Sequence, residues 1–257
     1  VPPSRHPAGR PHRRRPLAVE QQMPLPLTVA LAQPSCAPLD VAANAAAHAE
    51  VVRESGARLV VFPELSLTGY DLDAPAVAPD DPRLLPLVAA CGETGATALV
   101  CAAVAEPGGE SIALLEVTGG GARVVYRKMH LHGAELDRFV PGDRPRVLEV
   151  DGHRIGLAVC ADASVPEHAA RTAALGVDVY LASALFGSGE VALARRDSQL
   201  RDAAAAHGVW GLLSTVAGPS GEYPQTSGGS GAWAPGGALV AQAGAEPDEV
   251  VTVTLAL

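Results

Sequence analysis

The sequence is poor in lysine, in aromatic residues and in long apolar runs. Of its 19 basic residues only Lys128 is a lysine, and aromatic residues make up 4% of the chain. No apolar run reaches the roughly 18–20 residues that a membrane-spanning helix needs, so we exclude such a span. Hydrophobic residues nevertheless reach 48%. With so few aromatic rings, Ala, Val, Leu and Gly must supply the packing, which favours closely layered helices and sheets.

The cysteines and the charge balance exclude further classes. Four cysteines are widely spaced without a CxxC pair, so neither a zinc knuckle nor a disulfide framework is predicted, and a reducing cytoplasm is the expected location. The first 22 residues hold five arginines and one glutamate, so the remainder carries 14 basic and 27 acidic residues, a formal net charge of −13. An acidic body argues against nucleic acid and against an anionic membrane surface as partners.

Residues 1–22 differ in composition from the rest of the chain. They are rich in Pro and Arg and have no apolar periodicity. Because an apolar h-region is missing, the segment does not have the pattern of a secretory signal. We interpret it as a disordered extension, followed by one domain over residues 23–257. The alternative is a basic tail that binds nucleic acid, which the lack of interleaved aromatic residues disfavours.

Apolar runs alternate with helical patterns along the body. The predicted strands are 27–33, 57–64, 97–106, 111–119, 122–128, 177–185 and 209–218. The predicted helices are 40–56, 83–91, 166–176 and 189–207. A hairpin is predicted to turn on Asp151-Gly152, a pair typical of tight β-turns. Two sheets with helices outside both would bury these nearly continuous apolar strands.

Three predicted strands each end in a reactive residue. These are Glu64, Lys128 and Cys160. Ligand sites in α/β proteins lie beyond the carboxyl ends of strands, so we expect a carboxylate, an ammonium and a thiol to converge there. Glu64 could move a proton as a general base, although a strand-end glutamate on the surface would leave the same pattern.

Cys160 follows the buried run "GLAV" and precedes a polar turn. Ser164 and Glu167 have the spacing of a capping box, with Pro166 in the first turn of the helix that follows. We expect the helix N-terminus and a nearby ammonium to lower the pKa of the thiol and so favour the nucleophilic thiolate. The other three cysteines are interpreted as small hydrophobic core residues.

The single lysine also has a chemical interpretation. Arginine occupies every other basic position, as coding bias in a GC-rich genome would produce. A compact ammonium can approach a developing oxyanion while it holds a carboxylate and a thiolate, whereas the planar guanidinium is bulkier and directed differently. Lys128 would then resist replacement by arginine. Chance survival is the alternative.

Three sequence blocks together resemble a known family. They are "FPELSLTGY" (62–70), "RKMHLHGAELDRFVPGD" (127–143) and "GLAVCADASVPEHAARTAALGVDVYLASA" (156–184). In order and separation they resemble the signature blocks of the carbon–nitrogen hydrolase (nitrilase) superfamily, and the likeness runs from about Thr28 to the C-terminus. The resemblance implies an α/β fold, a four-layer αββα sandwich of two mixed β-sheets flanked by helices. It also implies hydrolysis of amide or nitrile C–N bonds by a Glu-Lys-Cys triad.

The resemblance assigns roles to individual residues. Glu64 corresponds to the general base, Lys128 to the ammonium that stabilises the intermediate, and Cys160 to the nucleophile. Glu135 matches a second glutamate that positions substrate and lysine in many members. The backbone N–H of Ala161 would complete an oxyanion hole with Lys128.

Several positions depart from the family pattern. Ala161 and Ser164 replace an aromatic residue and an arginine that often follow the cysteine, and His132 stands where an aromatic residue is common. Ala206-His207 replaces a usual Glu-Asn pair in the last predicted helix. The pair Ala161-Asp162 favours an amidase or carbamoylase over a true nitrilase, which tends to have Trp-Glu there. We expect Tyr70, His132, Asp162 and Ser164 to line the pocket.

The expectation is therefore a cofactor-free hydrolase of a small amide or N-carbamoyl substrate, with water as the second reactant. A nitrilase, an amine acyltransferase and a catalytically silent binding homologue remain open. His130 and His132 could ligate a metal, but no third ligand is evident, and no GxSxG elbow, Walker loop or dinucleotide fingerprint is present. The resemblance also implies a homodimer or higher homo-oligomer, formed through the helices near 166–176 and 189–207.

Overall fold

A computed structural model describes residues 25–256, so the interpretation of residues 1–22 falls outside the described part of the chain. The first half holds β1 (Leu27–Gln33), α1 (Val41–Ser55), β2 (Leu59–Val61), α2 (Leu85–Thr94), β3 (Thr97–Glu106), β4 (Gly109–Thr118) and β5 (Gly121–Arg127). The second half holds β6 (Val147–Val150), β7 (His153–Val159), α3 (Pro166–Ala173), β8 (Val179–Ala184), α4 (Glu190–His207), β9 (Trp210–Thr215), β10 (Ala217–Ser220), β11 (Tyr223–Ser227), β12 (Gly231–Trp233), β13 (Leu239–Gln242) and β14 (Glu249–Leu255).

The strands form two six-stranded sheets and one hairpin. The first sheet has the order β14-β1-β2-β3-β4-β5, the second has the order β13-β12-β9-β8-β7-β6, and β10 pairs with β11. In each large sheet two neighbouring pairs are parallel, β1-β2 and β2-β3 in the first and β7-β8 and β8-β9 in the second, while the other pairs are antiparallel. Both sheets are therefore mixed.

Three apolar clusters define the layers. The largest lies between the two sheets, a second lies between the first sheet and helices α1 and α2, and a third lies between the second sheet and helices α3 and α4. Strand β1 shows how the sequence produces this arrangement. Val29 and Leu31 face the other sheet, whereas Ala30 and Ala32 face the helices and let them approach closely. The predicted four-layer αββα sandwich is confirmed.

The predicted local signals are confirmed at two places. Asp40 caps α1, accepting a hydrogen bond from the backbone N–H of Ala43 at 3.0 Å, and Gly56 ends it in the left-handed conformation. The β6–β7 hairpin turns on Asp151 and Gly152, which both have positive φ, 50° and 85°. Positive φ at both central residues is what a type I′ turn requires.

One local prediction is wrong. Ser164 does not cap α3, because Val165 occupies the N-cap position and no side chain caps the helix. Residues Cys160–Ser164 form a short 3₁₀ turn, and the Ser164 hydroxyl donates within it to the Ala161 carbonyl at 2.7 Å. In the described residues, every helix is too short or too polar to cross a bilayer.

Candidate active site

The ends of three strands bring Glu64, Lys128 and Cys160 into one region. Glu64 follows β2, Lys128 directly follows β5, and Cys160 directly follows β7. Glu64 and Lys128 have no exposed surface. The Lys128 ammonium donates hydrogen bonds to Glu64 Oε1 at 2.7 Å and to Glu135 Oε1 at 2.6 Å. The lysine therefore lies between two buried carboxylates, one of them the second glutamate that the sequence suggested.

Backbone and side-chain contacts fix the lysine and its second partner. The Lys128 N–H donates to the Ile112 carbonyl and the Gly142 N–H donates to the Lys128 carbonyl, both at 2.8 Å. Glu135 lies in a 3₁₀ turn, where its Oε2 accepts from the His132 N–H at 3.2 Å. The backbone bonds fix both ends of the loop formed by residues 128–142, which contains Glu135. The ammonium and the Glu135 carboxylate therefore meet in a defined geometry.

Tyr70 belongs to the site but does not line the cavity next to Cys160. Its hydroxyl donates to Glu135 Oε1 at 2.8 Å, and its remaining surface borders a separate cavity of about 330 Å³. The sequence placed Tyr70 in the pocket. In the structure it instead orients the carboxylate that binds Lys128.

The charges of this group determine its protonation. Burial alone would lower the pKa of Lys128, but the charges of Glu64 and Glu135 outweigh burial and raise it, so the ammonium is kept. Burial raises the pKa of Glu64, and Lys128 offsets only part of that rise. Among residues 25–256, Glu64 Oε2 has no hydrogen-bond partner. This buried oxygen is free to accept a proton.

Cys160 lies at a strained position between β7 and the 3₁₀ turn. Its φ of 44° falls in the left-handed region, where a residue with a Cβ costs on the order of 1 kcal/mol or more. The thiol donates to the Leu185 carbonyl at 3.5 Å. Burial raises the pKa of Cys160, and the charge of Glu64 raises it further, while Lys128 only partly opposes them. The expected lowering of the thiol pKa is therefore wrong, and the direction of the shift favours a protonated thiol at Cys160.

Ala161 and Ser164 lie in the 3₁₀ turn that follows β7. Ala161 is the second residue of the 3₁₀ turn that begins at Cys160, and the first N–H groups of such a turn have no acceptor within it. Ala161, Ser164 and His132 all line a cavity of about 550 Å³, and Cys160 opens into this cavity.

Asp162 is not a cavity residue, which corrects the prediction that it lines the pocket. It is fully buried, because the 3₁₀ turn after Cys160 directs it inward. Its Oδ1 accepts from the backbone N–H groups of Met129 and His130 at 3.1 and 2.8 Å. Its Oδ2 accepts from the Val159 N–H at 3.0 Å. Asp162 thus joins the segment after Lys128 to the strand that carries Cys160.

A buried polar chain behind Asp162 was missed. The Tyr126 hydroxyl donates to Asp162 Oδ2 at 2.7 Å, so it accepts from His168 Nε2 at 2.9 Å. His168 Nδ1 then accepts from the Tyr180 hydroxyl at 2.9 Å. Burial lowers the pKa of His168, in agreement with a neutral ring that donates at one nitrogen and accepts at the other. The position of His168 on the buried face of α3 was the available sequence signal.

One histidine that the sequence named makes a structural contact, and several residues of the cavity wall were missed. His130, which the sequence paired with His132 as a possible metal ligand, places Nδ1 2.8 Å from Asp162 Oδ1. The cavity wall is completed by residues of the β8–α4 connection, the first turns of α4 and the β10–β11 hairpin. They include Leu185, Phe186, Ser188, Val191, Arg195, Gln199 and Tyr223. Nothing local in the sequence connects these segments with Cys160.

Comparison with known proteins gives consistent findings. The family model described as carbon–nitrogen hydrolase matches residues 28–257. A hydrolase of Mycobacterium tuberculosis is 33% identical over 218 residues, which is 77% of this chain and 77% of that protein. An (R)-stereoselective amidase of a Pseudomonas species is 32% identical over 127 residues, 48% of this chain and 46% of the amidase.

Solved structures of an amidase from Nesterenkonia sp. AN1 are similar to the whole described fold. A cysteine-to-alanine variant in complex with butyramide has a TM-score of 0.79 and 26% identity, and the match covers 89% of this chain and 90% of that one. A glutamate-to-glutamine variant has a TM-score of 0.78, 26% identity and the same coverage. In that structure the acetamide moiety of fluoroacetamide is covalently attached to the active-site cysteine.

Proposed function

Because this chain belongs to the carbon–nitrogen hydrolase family, whose model matches residues 28–257, we propose that it hydrolyses small amides through a thioester on Cys160. One observation carries the proposal. The Cys160 thiol opens into a cavity of about 550 Å³ beside the buried Glu64–Lys128–Glu135 group. This arrangement supplies a nucleophile, a base with a free oxygen and a fixed cation.

In the first step Sγ of Cys160 bonds to the amide carbon while the thiol proton passes to Glu64 Oε2. The base is required because the raised pKa of the thiol leaves almost no thiolate at rest. Two N–H bonds of the Lys128 ammonium are used by the two carboxylates, which leaves the third for the oxyanion. The Ala161 N–H is the second oxyanion donor.

In the second step the C–N bond breaks and Glu64 returns its proton to the leaving nitrogen. Ammonia or an amine departs, and a thioester remains on Cys160. Water then attacks the thioester, Glu64 takes a proton from that water, and the C–S bond breaks as the proton passes to sulfur. The products are a carboxylic acid and the restored thiol.

The test combines product analysis with intact-mass spectrometry. Wild-type protein should release ammonia from simple amides, and incubation with fluoroacetamide or an amide panel should add mass at Cys160. Cys160→Ala should abolish both results, whereas Cys91→Ala, which removes a thiol beneath the other sheet, should abolish neither. Adduct formation in the Cys160→Ala variant, or no ammonia and no adduct in the wild type, would contradict the proposal.

Two further measurements separate the related activities. Paired amide and nitrile substrates with the same acyl group distinguish an amidase from a nitrilase by the rate of ammonia release. Added hydroxylamine should divert the thioester to a hydroxamate. If a hydroxamate forms with hydroxylamine but no free acid forms without it, the enzyme transfers the acyl group to an amine acceptor and does not hydrolyse the thioester.

A further inference from the structure

Arg195 is the only Lys, Arg, Asp or Glu among the described residues that line the Cys160 cavity. It lies near the start of α4, and within residues 25–256 its guanidinium forms no ion pair and no hydrogen bond. Only the backbone of Arg195 bonds to a side chain: its carbonyl accepts a hydrogen bond from Ser198 Oγ at 3.1 Å. A cation with five donors is therefore available to a molecule in the cavity.

The neighbouring arginine has a different role. Arg196 is buried, its Nε donates to Asp197 Oδ1 at 2.7 Å, and it donates to the Gly228 carbonyl at 3.0 Å. Arg196 thus joins α4 to the loop before β12. Since Arg196 makes these structural contacts, Arg195 is not needed for them.

Gln199 extends the same surface. It follows Arg195 by four residues, so both side chains lie on one face of α4. Gln199 lines the cavity, and its Oε1 is buried without a hydrogen-bond partner among the described residues. Leu185 and Phe186 form an apolar wall of the same cavity. The cavity therefore offers a nucleophile, an apolar wall and a polar region with a cation.

We infer that the substrate is a small amide that also carries a carboxylate, and that Arg195, with Gln199 beside it, binds the carboxylate. The inference rests on the proposed function and narrows its substrate class. A guanidinium matches a carboxylate through two parallel hydrogen bonds. The net charge of the body does not favour anions, because residues 23–257 together carry a formal net charge of −13. A local cation is what an anionic substrate needs here.

The first experiment compares succinamate with butyramide, which has a methyl group in place of the carboxylate. Wild-type enzyme should show the higher kcat/KM on succinamate. In Arg195→Gln the ratio of the two kcat/KM values should fall by about 10- to 100-fold, the range for a hydrogen-bonded charge contact. Arg195→Lys, which keeps the charge but not the fork, should lie between. Arg201→Gln removes an exposed arginine from the same helix and should leave the ratio unchanged.

A second measurement does not need turnover. Succinamate should bind to Cys160→Ala about 10-fold or more tightly than to the Cys160→Ala/Arg195→Gln double variant by calorimetry. Equal affinity would overturn the inference, as would an unchanged ratio of kcat/KM values in Arg195→Gln. If Arg195→Gln altered sedimentation instead, Arg195 would belong to a contact between copies of the chain, and the inference would also fail. Absence of hydrolysis of either amide, with tight Arg195-dependent binding, would refute only the proposed reaction.

Discussion

Replacement of Lys128 by arginine is the sharpest test of the site, because it keeps the charge and changes only the geometry. Lys128 Nζ lies 2.7 Å from Glu64 Oε1 and 2.6 Å from Glu135 Oε1, with no exposed surface. A longer side chain with a planar head has no free space there. Overpacking of a closed site costs about 1–3 kcal/mol of folding free energy. The catalytic loss should be larger, at least about 10²-fold in kcat, as for removal of one oxyanion donor.

Lys128→Met separates charge from geometry. Loss of the cation leaves Glu64 and Glu135 as two buried carboxylates without a counter-charge, which costs about 3–5 kcal/mol unless one takes up a proton. Lys128 lowers the pKa of both Glu64 and Cys160 in the native site. The methionine variant should therefore have a Cys160 pKa above that of the wild type and should be at least as inactive as the arginine variant.

The assay is ammonia release from an amide that the wild type hydrolyses, together with the rate of alkylation of Cys160 as a function of pH. Urea unfolding checks that each variant is folded. Arg144→Lys is the matched control, because Arg144 is exposed and the exchange should be silent there. An arginine variant at position 128 with near-normal turnover would refute the reasoning, and would mean that the only lysine in the chain survived by chance.

Four other outcomes are expected. Asp162→Asn places an NH₂ group against buried N–H or O–H donors. We therefore expect kcat to fall about 10-fold or more with little change in KM, and the free energy of unfolding in urea to fall by about 1–3 kcal/mol. A rise in KM as large as the fall in kcat would instead place Asp162 in the substrate pocket. Burial lowers the pKa of His48 from 6.5 to about 3, so between those pH values the unfolded chain binds a proton that the folded chain does not. Stability from this residue is thus present above pH 6.5 and falls by about 1.4 kcal/mol per pH unit below it, and His48→Leu should remove that slope in urea titrations. Because burial raises the pKa of Glu64 above 4.5, kcat/KM should decline as the pH falls through a value higher than an ordinary glutamate shows, and a pH–rate profile with its acid limb at or below 4.5 would speak against Glu64 as the base. The protein is expected to form a homodimer through α3 and α4, where Leu193 is 37% exposed, and sedimentation showing only monomer at micromolar concentration would contradict that assembly.

The features that could be predicted from the sequence depend on local patterns. Glu64, Lys128 and Cys160 each follow a short apolar strand, and a strand end is visible in a window of about ten residues. The Asp40 cap, the Gly56 helix end and the Asp151-Gly152 turn are likewise determined by neighbouring residues. Such features depend on residues a few positions apart, although the Ser164-x-x-Glu167 pattern shows that a local signal can fail. The fold class and the strand-end positions of Glu64, Lys128 and Cys160 could therefore be predicted.

The features that sequence analysis missed depend on rotation and on distant contacts. Arg195 and Arg196 look identical in sequence, but a helix rotates by about 100° per residue, so one faces the cavity and the other the loop before β12. Asp162 follows Cys160 by two residues, and only the 3₁₀ turn shows that its carboxylate points inward. Burial and the charge of Glu64 raise the pKa of Cys160, and Lys128 opposes this rise only in part. No local sequence pattern shows the balance of these three effects.

That balance also explains why the site combines two carboxylates with one ammonium. By formal charge, two carboxylates and one ammonium give the buried group a net charge of −1, and a thiolate in place of the thiol would make it −2. In the proposed reaction Glu64 takes the thiol proton during attack, so its negative charge disappears as the oxyanion forms. The total charge therefore stays at −1, and the negative charge moves from one neighbour of Lys128 to another. In this proposal one N–H bond of the ammonium points to Glu64, one to Glu135 and one to the new oxygen. A compact head with three N–H bonds can make these contacts from one position, whereas a guanidinium fork cannot.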